Sequence, residues 1–345
     1  QDAEAAHDHD RHGADHAHDV LEEVIVTATP LQRDVVELSQ SATVLKGDAL
    51  ERELSNNIGD TLARLPGLSN ASFGQNVGRP AIRGLQGVRV GVLNDNMTSL
   101  DASALSQDHA VPTEPFLADQ VEVLRGPATL IYGSGSIGGV VNMVTNTIPR
   151  EMPEDGVSAR ALIQGDSAAD QRFAAGRIDL GSGNFAFHAN AFYRRSDDYE
   201  IPGPAELYPD HDEDHDDHDE EHEEHGEEAG GVLENSFLDN EGGAIGASWI
   251  GDRWTAGLSY TAYDSDYGIP GAHAHEHEEE GHEGEDEHLD EDEYEEEEIL
   301  VNVGLENRRI DGLLLGRDPF RGFNQLKLNL TSTDYTHTEF EGDET

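Results

Sequence analysis

The sequence predicts two successive parts: a small α+β globular domain, followed by long antiparallel strands of a transmembrane β-barrel. Residues 35–148 mix short helical patterns, short apolar strands and glycine turns, which is typical of an α+β domain. From Gly156 onward, runs of about ten residues alternate apolar with polar side chains, the pattern of a barrel wall that faces lipid on one side. No stretch of about 18 apolar residues is present, so the sequence predicts no helix that spans a bilayer.

The composition excludes several classes of partner and chemistry. The 345 residues carry 73 Asp and Glu against 21 Lys and Arg, and the formal net charge of -52 would repel a nucleic acid. Cysteine is absent, which excludes disulfides, thiolate metal ligands and cysteine nucleophiles. We find no paired acid and base, no nucleophile motif and no cofactor fingerprint, so we predict a protein that is not an enzyme and uses no catalytic cofactor. The start at Gln1 suggests a mature end left by signal-peptide removal.

The stretch from Gln120 to Thr145 organises the globular domain. Val121 and Val123 alternate as in a half-buried strand, and Gly126-Pro127 ends that strand and opens one helical turn. The glycines at 133, 135, 138 and 139 then let the backbone fold back into a second strand at 139–145. Because no Gly-Lys-Ser/Thr run and no helix follows these glycines, we do not predict a phosphate-binding loop.

Two motifs carry a family resemblance. The first consists of Arg125-Gly126-Pro127, Tyr132-Gly133, Gly138-Gly139 and Asn142. The second, upstream, consists of Arg79-Pro80-Ala81-Ile82-Arg83-Gly84 followed by residues 88–95. In this order and spacing they resemble the plug domain of TonB-dependent outer-membrane receptors, over about residues 22–148, and the histidine-rich loops described below resemble the zinc-receptor type.

The resemblance implies an α+β plug domain inside an antiparallel transmembrane β-barrel of about 22 strands. It also implies a monomeric receptor in the outer membrane of a Gram-negative bacterium, in contact with outer-membrane lipid, and partnered by TonB with its energising inner-membrane complex. The expected organisation is a disordered His-rich periplasmic arm at 1–19, a TonB box region at 20–30, a plug domain at 31–150 and part of the barrel at 151–345.

A short β-prone segment lies between the polar arm and the globular domain. It resembles a TonB box, and its predicted TonB-binding residues are Glu23, Val24, Ile25, Val26, Thr27 and Ala28. Such a segment can be captured by strand addition, in which backbone hydrogen bonds supply most of the affinity. The alternative is an ordinary first strand of the globular domain.

Within the globular domain the sequence predicts helices capped by Asp48 and by Asn57 or Asp60, and strands near 79–84, 88–94, 120–125 and 139–145. Arg83 and Arg125 each end a strand beside a glycine. In the resembled family such arginines pair with acidic groups. We therefore predict plug-locking roles for Arg83, Glu122 and Arg125, with Glu122 and Arg125 as an ion pair, against simple surface exposure.

Seven barrel strands are predicted, at about 157–165, 171–180, 184–195, 243–250, 253–264, 306–315 and 324–336. Seven strands cannot close around a globule of this size, so we expect further strands after Thr345. Alternation directs His188 into the lumen as polar lining, and we interpret His337, at an outer strand end, as a surface residue.

Two predicted extracellular loops, 203–240 and 266–304, and the N-terminal arm hold fifteen of the eighteen histidines, set among Asp and Glu. The arm contributes His7, His9, His12, His16 and His18. The predicted metal-binding loop residues are His211, His215, His218, His222, His225, His273, His275, His277, His282 and His288. Carboxylates alone suit Ca²⁺ or Mg²⁺, whereas interleaved imidazoles favour Zn²⁺, Ni²⁺ or Cu²⁺. The alternative is a set of charged loops that only keep an outer surface hydrated.

A tighter site is expected at Asp108-His109, in a loop between two strands of the globular domain. Adjacent Asp and His in such a loop resemble the residues that zinc receptors of this family use, completed there by barrel residues. An ordinary polar pair is the alternative.

We therefore predict a TonB-dependent outer-membrane transporter that imports a divalent metal ion, with zinc as the first choice of cargo. The first alternative keeps the fold and changes the cargo to a ferric siderophore, haem or cobalamin. The second is an acidic metal-buffering or surface adhesion protein that transports nothing.

Overall fold

The computed structural model describes residues 26–28, 41–99, 101–126, 132, 135–203, 231–271 and 300–342. In these ranges the chain forms a globular domain (residues 41–150) and a seven-stranded antiparallel sheet (residues 157–341). Within the described ranges, no helix is both long and apolar enough to cross a membrane.

The globular domain is built on a five-stranded sheet of order β1-β6-β7-β4-β5, with a separate β2-β3 hairpin and two helices. Its elements are β1 (Ala42–Lys46), α1 (Gly47–Glu53), α2 (Ile58–Leu62), β2 (Leu68–Phe73), β3 (Val77–Ile82), β4 (Val90–Asn94), β5 (Met97–Thr98), β6 (Gln120–Arg125) and β7 (Gly139–Val144). Among the described residues, single-turn 3-10 helices cover Gly87–Arg89, Ala102–Ala104 and Pro115–Leu117. The core lies where Val90, Val121 and Val141 of the sheet pack against Leu50 and Ile58 of the helices.

The β6-β7 pair explains the glycine-rich stretch between them. β7 is antiparallel to β6 and parallel to β4, so the chain must reverse sharply before Gly139. Gly139 has a φ of 154°, and an added Cβ would lie 2.5 Å from the Leu124 carbonyl oxygen. A side chain therefore has no room at this position. Most of the predicted turn at 127–134 lies outside the described residues.

One of the predicted helix caps differs from the structure. Asn57 caps α2, because its side chain accepts a hydrogen bond from the Asp60 N–H at 2.8 Å. Asp48, in contrast, lies inside the first turn of α1, where the N-cap position belongs to Lys46. A carboxylate there still faces the positive end of the helix, which is a favourable position for it.

The seven predicted barrel strands are present, in chain order across the sheet, as β16-β15-β14-β13-β10-β9-β8. Their bounds are β8 (Val157–Asp166), β9 (Gln171–Ser182), β10 (Phe185–Ser196), β13 (Leu238–Ile250), β14 (Trp254–Ile269), β15 (Val301–Phe320) and β16 (Phe323–Glu341). A short hairpin, β11 (Tyr199–Glu200) with β12 (Val232–Leu233), stands at the base of the first long loop. The strands β13, β14 and β15 extend a few residues into the predicted loops 203–240 and 266–304. The reason is that backbone pairing between strands continues beyond the residues that alternate apolar with polar side chains.

The two faces of the sheet differ as the alternation predicts. Apolar side chains such as Leu258, 66% exposed, and Leu330, 64% exposed, cover the outer face. Polar side chains of the inner face contact the globular domain. The inner contacts include Arg160 of β8 to the carbonyl oxygen of Phe116, and Arg309 of β15 to that of Asn94 at 3.2 Å. The sheet therefore curves around the globular domain with its apolar face outward.

Candidate metal site

The loop that carries Asp108 and His109 is fixed from two sides. Inside the globular domain, the buried Arg79 guanidinium donates to the carbonyl oxygen of Val90 at 3.1 Å and contacts the Ser103 hydroxyl at the start of the loop. Burial lowers the pKa of Arg79. On the sheet side, the Tyr267 hydroxyl accepts a hydrogen bond from the Ala110 N–H at 3.0 Å. The loop is thus held against β14 rather than projecting freely.

This placement brings His109 against two residues of β16. The His109 Nε2 atom lies 3.1 Å from the Glu339 Oε1 atom, and the His337 Nε2 atom lies 3.3 Å from the same oxygen. The two imidazole rings are 4.1 Å apart between centroids, at an interplanar angle of 54°. In the described part of the chain, these three side chains form the one group of three potential metal ligands whose donor atoms all lie within 4.8 Å of one another.

Three of the four imidazole nitrogens of this group lack a hydrogen-bond partner in the structure. Both ring nitrogens of His337 and the Nδ1 atom of His109 are buried and make no hydrogen bond. Their short distances to carboxylate oxygens are therefore contacts without hydrogen-bond alignment. A buried polar atom left unpaired is costly, and such atoms in a native protein call for an explanation such as a bound ion.

Two of the three separations within this group suit a tetrahedral cation. A zinc ion with bonds of about 2.0–2.1 Å holds its ligand atoms about 3.3 Å apart. The carboxylate oxygen of Glu339 stands at 3.1 Å and 3.3 Å from the two imidazole nitrogens, which matches that separation. The Glu339 side chain is 40% exposed, so solvent reaches this carboxylate.

Asp108 lies beside His109, as their adjacency in the loop predicts. Its Oδ1 atom lies 3.2 Å from His109 Nδ1, on the opposite edge of the ring from Glu339. It also accepts a hydrogen bond from the Ser106 hydroxyl. No hydrogen bond joins this carboxylate to the His109 ring, and the metal-binding role of Asp108 stays a prediction.

His337 and Glu339 were not recognised from the sequence. His337 was interpreted as a surface residue, but its side chain is 13% exposed and faces inward. The usable signal was the spacing, because residues two apart on a strand share a face, so His337 and Glu339 point the same way. Strand register places His337 opposite Leu305 and Glu339 opposite Val303. Both positions lie near the start of β15, where the second long loop joins the sheet.

The histidines predicted to bind metal in the long loops, at 211–225 and 273–288, lie outside the described residues, as does the N-terminal arm. Their metal-binding role stays a prediction. His188 does lie on the inner face, as alternation predicts. Its Nδ1 atom is 2.7 Å from Asp179, which with Arg177 forms an ionic network that reaches Asp119 of the globular domain.

The predicted ion pair between Glu122 and Arg125 does not form. Residues three apart on β6 point to opposite faces of the strand, which separates the two charges. Arg125 donates instead to the Thr43 hydroxyl at 2.7 Å and to the Pro66 carbonyl oxygen at 3.2 Å, and burial lowers its pKa. Arg83 is exposed, with a φ of 51°. The plug-locking role of these residues stays a prediction.

Glu122 contacts the end of the predicted TonB box. Its carboxylate accepts hydrogen bonds from the N–H groups of Thr27 and Ala28, at 2.7 Å and 2.8 Å. The hydroxyl of Tyr132 donates to the Ala28 carbonyl oxygen at 2.6 Å, and burial raises the pKa of Tyr132 to about 12, which keeps it a donor. Residues Glu23, Val24 and Ile25 lie outside the described residues.

Comparison with known proteins agrees with this architecture. Residues 34–140 match the family model described as "TonB-dependent Receptor Plug Domain". The chain is 29% identical over 184 residues to the ferric aerobactin receptor of Klebsiella pneumoniae, and 29% identical over 181 residues to the hemin receptor of Yersinia pestis. Each match covers 50% of this chain and 24% of the relative, so the chain spans about a quarter of the length of these relatives.

Solved structures show the same fold at low identity. The copper transporter OprC superposes with a TM-score of 0.62 at 15% identity, over 86% of this chain and 37% of that one. The Serratia marcescens hemophore receptor HasR, solved with its hemophore HasA and heme, gives a TM-score of 0.60 at 15% identity, over 89% and 39% of the two chains. At these identities the likeness concerns the fold alone.

Proposed function

We propose that this chain, which carries a plug domain and seven barrel strands homologous to TonB-dependent receptors, belongs to an outer-membrane transporter that imports a divalent transition-metal ion. The observation that carries the cargo class is the cluster of His109, His337 and Glu339. Two imidazoles and one carboxylate are the ligands that zinc takes in mixed sites, so zinc is our first choice. The ion passes through the protein as cargo, and no bond is made or broken apart from coordination.

The cluster lies between the plug domain and the barrel wall, a position that fits a role in gating the passage of the ion. His109 belongs to the plug domain, whereas His337 and Glu339 belong to the barrel wall, so the ligand set exists only while the two parts are in contact. A movement of the plug away from β16 would separate the ligands and weaken binding. In this scheme TonB supplies the movement by pulling on residues near the TonB box, and the acidic, histidine-rich loops raise the local cation concentration.

A ferric siderophore or haem is the second candidate cargo. The sequence comparisons favour this class over zinc, since the relatives named above are receptors for ferric aerobactin and hemin. We prefer the bare ion because the donor atoms of two imidazoles and one carboxylate lie close enough to share one cation, whereas haem iron would need only the imidazoles. The two candidates share the fold, the location and the dependence on TonB, and differ only in what is bound.

Isothermal titration of the full-length receptor with zinc chloride, ferric aerobactin and hemin separates the candidates. We expect the affinity of the tightest zinc site to fall by about 100-fold or more in His109→Ala and His337→Ala, with weaker binding to the long loops unchanged, since even loss of an outer-shell partner costs about 10- to 100-fold. Glu341→Gln, an exposed acid two residues beyond Glu339 on β16, is the matched control and should bind zinc normally. Zinc binding that is unchanged in both histidine variants, together with tight binding of hemin or ferric aerobactin, would establish the second candidate.

Transport is tested with radioactive zinc in cells that carry the full-length receptor. Uptake should require the proton motive force and TonB, and should collapse when Asp108→Ala and His109→Ala are combined. Persistence of uptake in cells without TonB would contradict the proposed transport mechanism.

A further inference from the structure

Glu122 is a buried carboxylate at the centre of the plug domain, with an exposed fraction of 0%. It lies in β6, paired with Val44 of β1 on one side and Asn142 of β7 on the other. Its two oxygens accept five hydrogen bonds, from the N–H groups of Thr27 and Ala28, the Thr27 hydroxyl and the side-chain amides of Gln120 and Asn142. Three of the five donors belong to the short segment Thr27–Ala28.

The described residues 26–28 form no strand, and Thr27 and Ala28 form hydrogen bonds to side chains. Val26 and Ala28 are 0% and 1% exposed and pack in a small apolar cluster with Leu124. Thr27 and Ala28 form a turn, and their backbone groups bond to the side chains of Glu122 and Tyr132. β6 keeps both of its neighbouring strands, β1 and β7, whether or not this segment is in place. Departure of the segment therefore breaks these side-chain contacts without opening the sheet.

Capture of the segment by a partner needs the same backbone groups. Strand addition uses the N–H and C=O groups of alternate residues of the captured segment, so in either register it needs one of the two N–H groups at positions 27 and 28. In the structure the N–H groups of Thr27 and Ala28 donate to Glu122, and the Ala28 carbonyl oxygen accepts from Tyr132. An incoming strand and Glu122 cannot both use these groups at once.

We infer that Glu122 is a positioning residue for the partner-binding segment. It holds Val26–Ala28 in the plug domain and competes directly with a strand of TonB for the N–H groups of Thr27 and Ala28. The identity of the partner as TonB rests on the proposed function, whereas the retention of the segment by Glu122 rests only on the contacts above.

Thiol accessibility measures retention without any partner. The 345 residues contain no cysteine, so Val26→Cys adds one reporter thiol to them at a buried position of this segment, and labelling is read on the peptide that contains residue 26. In outer membranes from cells that lack TonB, maleimide labelling of the full-length receptor should be about 10- to 100-fold faster when Glu122→Gln is added. The reason is that glutamine replaces a charged acceptor oxygen with an amide that cannot accept from an N–H group, and bonds to charged groups are the stronger ones.

Two further variants keep this experiment decisive. Glu154→Gln, an exposed acid outside the cluster, should leave the labelling rate unchanged. Tyr132→Phe removes only the hydroxyl that bonds to Ala28, so it should raise the rate by a smaller factor while the sheet stays folded. An unchanged labelling rate in both Glu122→Gln and Tyr132→Phe would overturn the inference, whatever the receptor transports.

The competition is tested by capture of the full-length receptor on an immobilised periplasmic domain of TonB, without added substrate. Glu122→Gln should increase capture about tenfold, and faster labelling with unchanged capture would overturn the competition between Glu122 and TonB. Failure of the proposed function gives a different result: metal uptake independent of TonB, with the labelling difference intact.

Discussion

The buried ion pair between Glu114 of the plug domain and Arg194 of β10 offers a quantitative test of how the two parts are held together. Arg194 Nη2 lies 3.1 Å from each Glu114 oxygen, and the two side chains are 4% and 2% exposed. The guanidinium also donates to Asn56 at 2.7 Å and stacks over the Phe173 ring at 3.9 Å. Replacing Arg194 by Ala would leave a buried carboxylate without its cation.

Breaking a buried pair by removal of one partner costs about 3–5 kcal/mol. At about 1.4 kcal/mol per factor of ten, this corresponds to a roughly 100- to 4,000-fold increase in the opening equilibrium of the segment around Glu114. Burial outweighs the attraction of Arg194 and raises the pKa of Glu114, so the pair itself carries a large desolvation cost. We therefore expect the double variant Arg194→Ala with Glu114→Gln to be much less destabilised than Arg194→Ala alone.

Hydrogen–deuterium exchange of the full-length protein in detergent, followed by mass spectrometry of peptides from 113–125, measures this opening. Arg195→Ala is the matched control, because the neighbouring Arg195 side chain is 62% exposed and its contact with Asp239 is 3.8 Å long. Exchange in Arg194→Ala within threefold of the control would refute the reasoning. So would a double variant whose destabilisation equals or exceeds that of Arg194→Ala alone.

Two further predictions concern the packing and titration of the same interface. An added Cβ at Gly246 would lie 1.8 Å from the Thr147 carbonyl oxygen, so Gly246→Ala should destabilise the contact between plug and sheet by about 1–3 kcal/mol. The measurement is the urea concentration at the midpoint of the rise in hydrogen exchange of the plug peptides, which should be lower in this variant. Gly312→Ala, where the nearest atom is 3.4 Å away, should have little effect, and equal midpoints for the two variants would contradict the steric argument. The raised pKa of Glu114 means that its carboxyl binds a proton more tightly in the folded protein than in the unfolded chain. Its contribution to stability is therefore full below about pH 4.3 and is lost as the pH rises through the raised pKa. When the urea midpoint is measured between pH 4 and pH 8, Glu114→Gln should remove the decrease in stability that deprotonation of Glu114 causes. If the midpoint depends on pH equally in the variant and the parent protein, other groups cause that dependence.

The fold was accessible from the sequence because its signals are local. Alternation with a period of two assigns each barrel residue to a face without knowledge of its neighbours, and the exposed Leu258 and Leu330 agree with that assignment. The need for glycine at position 139 is likewise a local signal, because the chain must turn back within a few residues and an added Cβ would meet the Leu124 carbonyl oxygen. Strand ends were less accessible, because polar residues continue to pair beyond the lipid-facing part of each strand.

The candidate metal site was accessible only in part. Asp108-His109 stood out as an adjacent pair in a loop, but its barrel partners lie more than two hundred residues later in a strand whose register no local pattern specifies. The role of Glu122 was missed for a different reason. Its spacing from Arg125 suggested a pair, whereas a strand turns residues three apart to opposite faces, and this was foreseeable.

Local pattern alone therefore specifies the plug motifs, the count and faces of the strands and the concentration of histidine and acid in the long segments. Tertiary packing decides which side chains meet: His109 with His337 and Glu339, Glu114 with Arg194, and Glu122 with Thr27 and Ala28. The physical reason is that backbone preference acts over a few residues, whereas a binding site is made by contacts whose geometry depends on how the sheet curves around the whole plug.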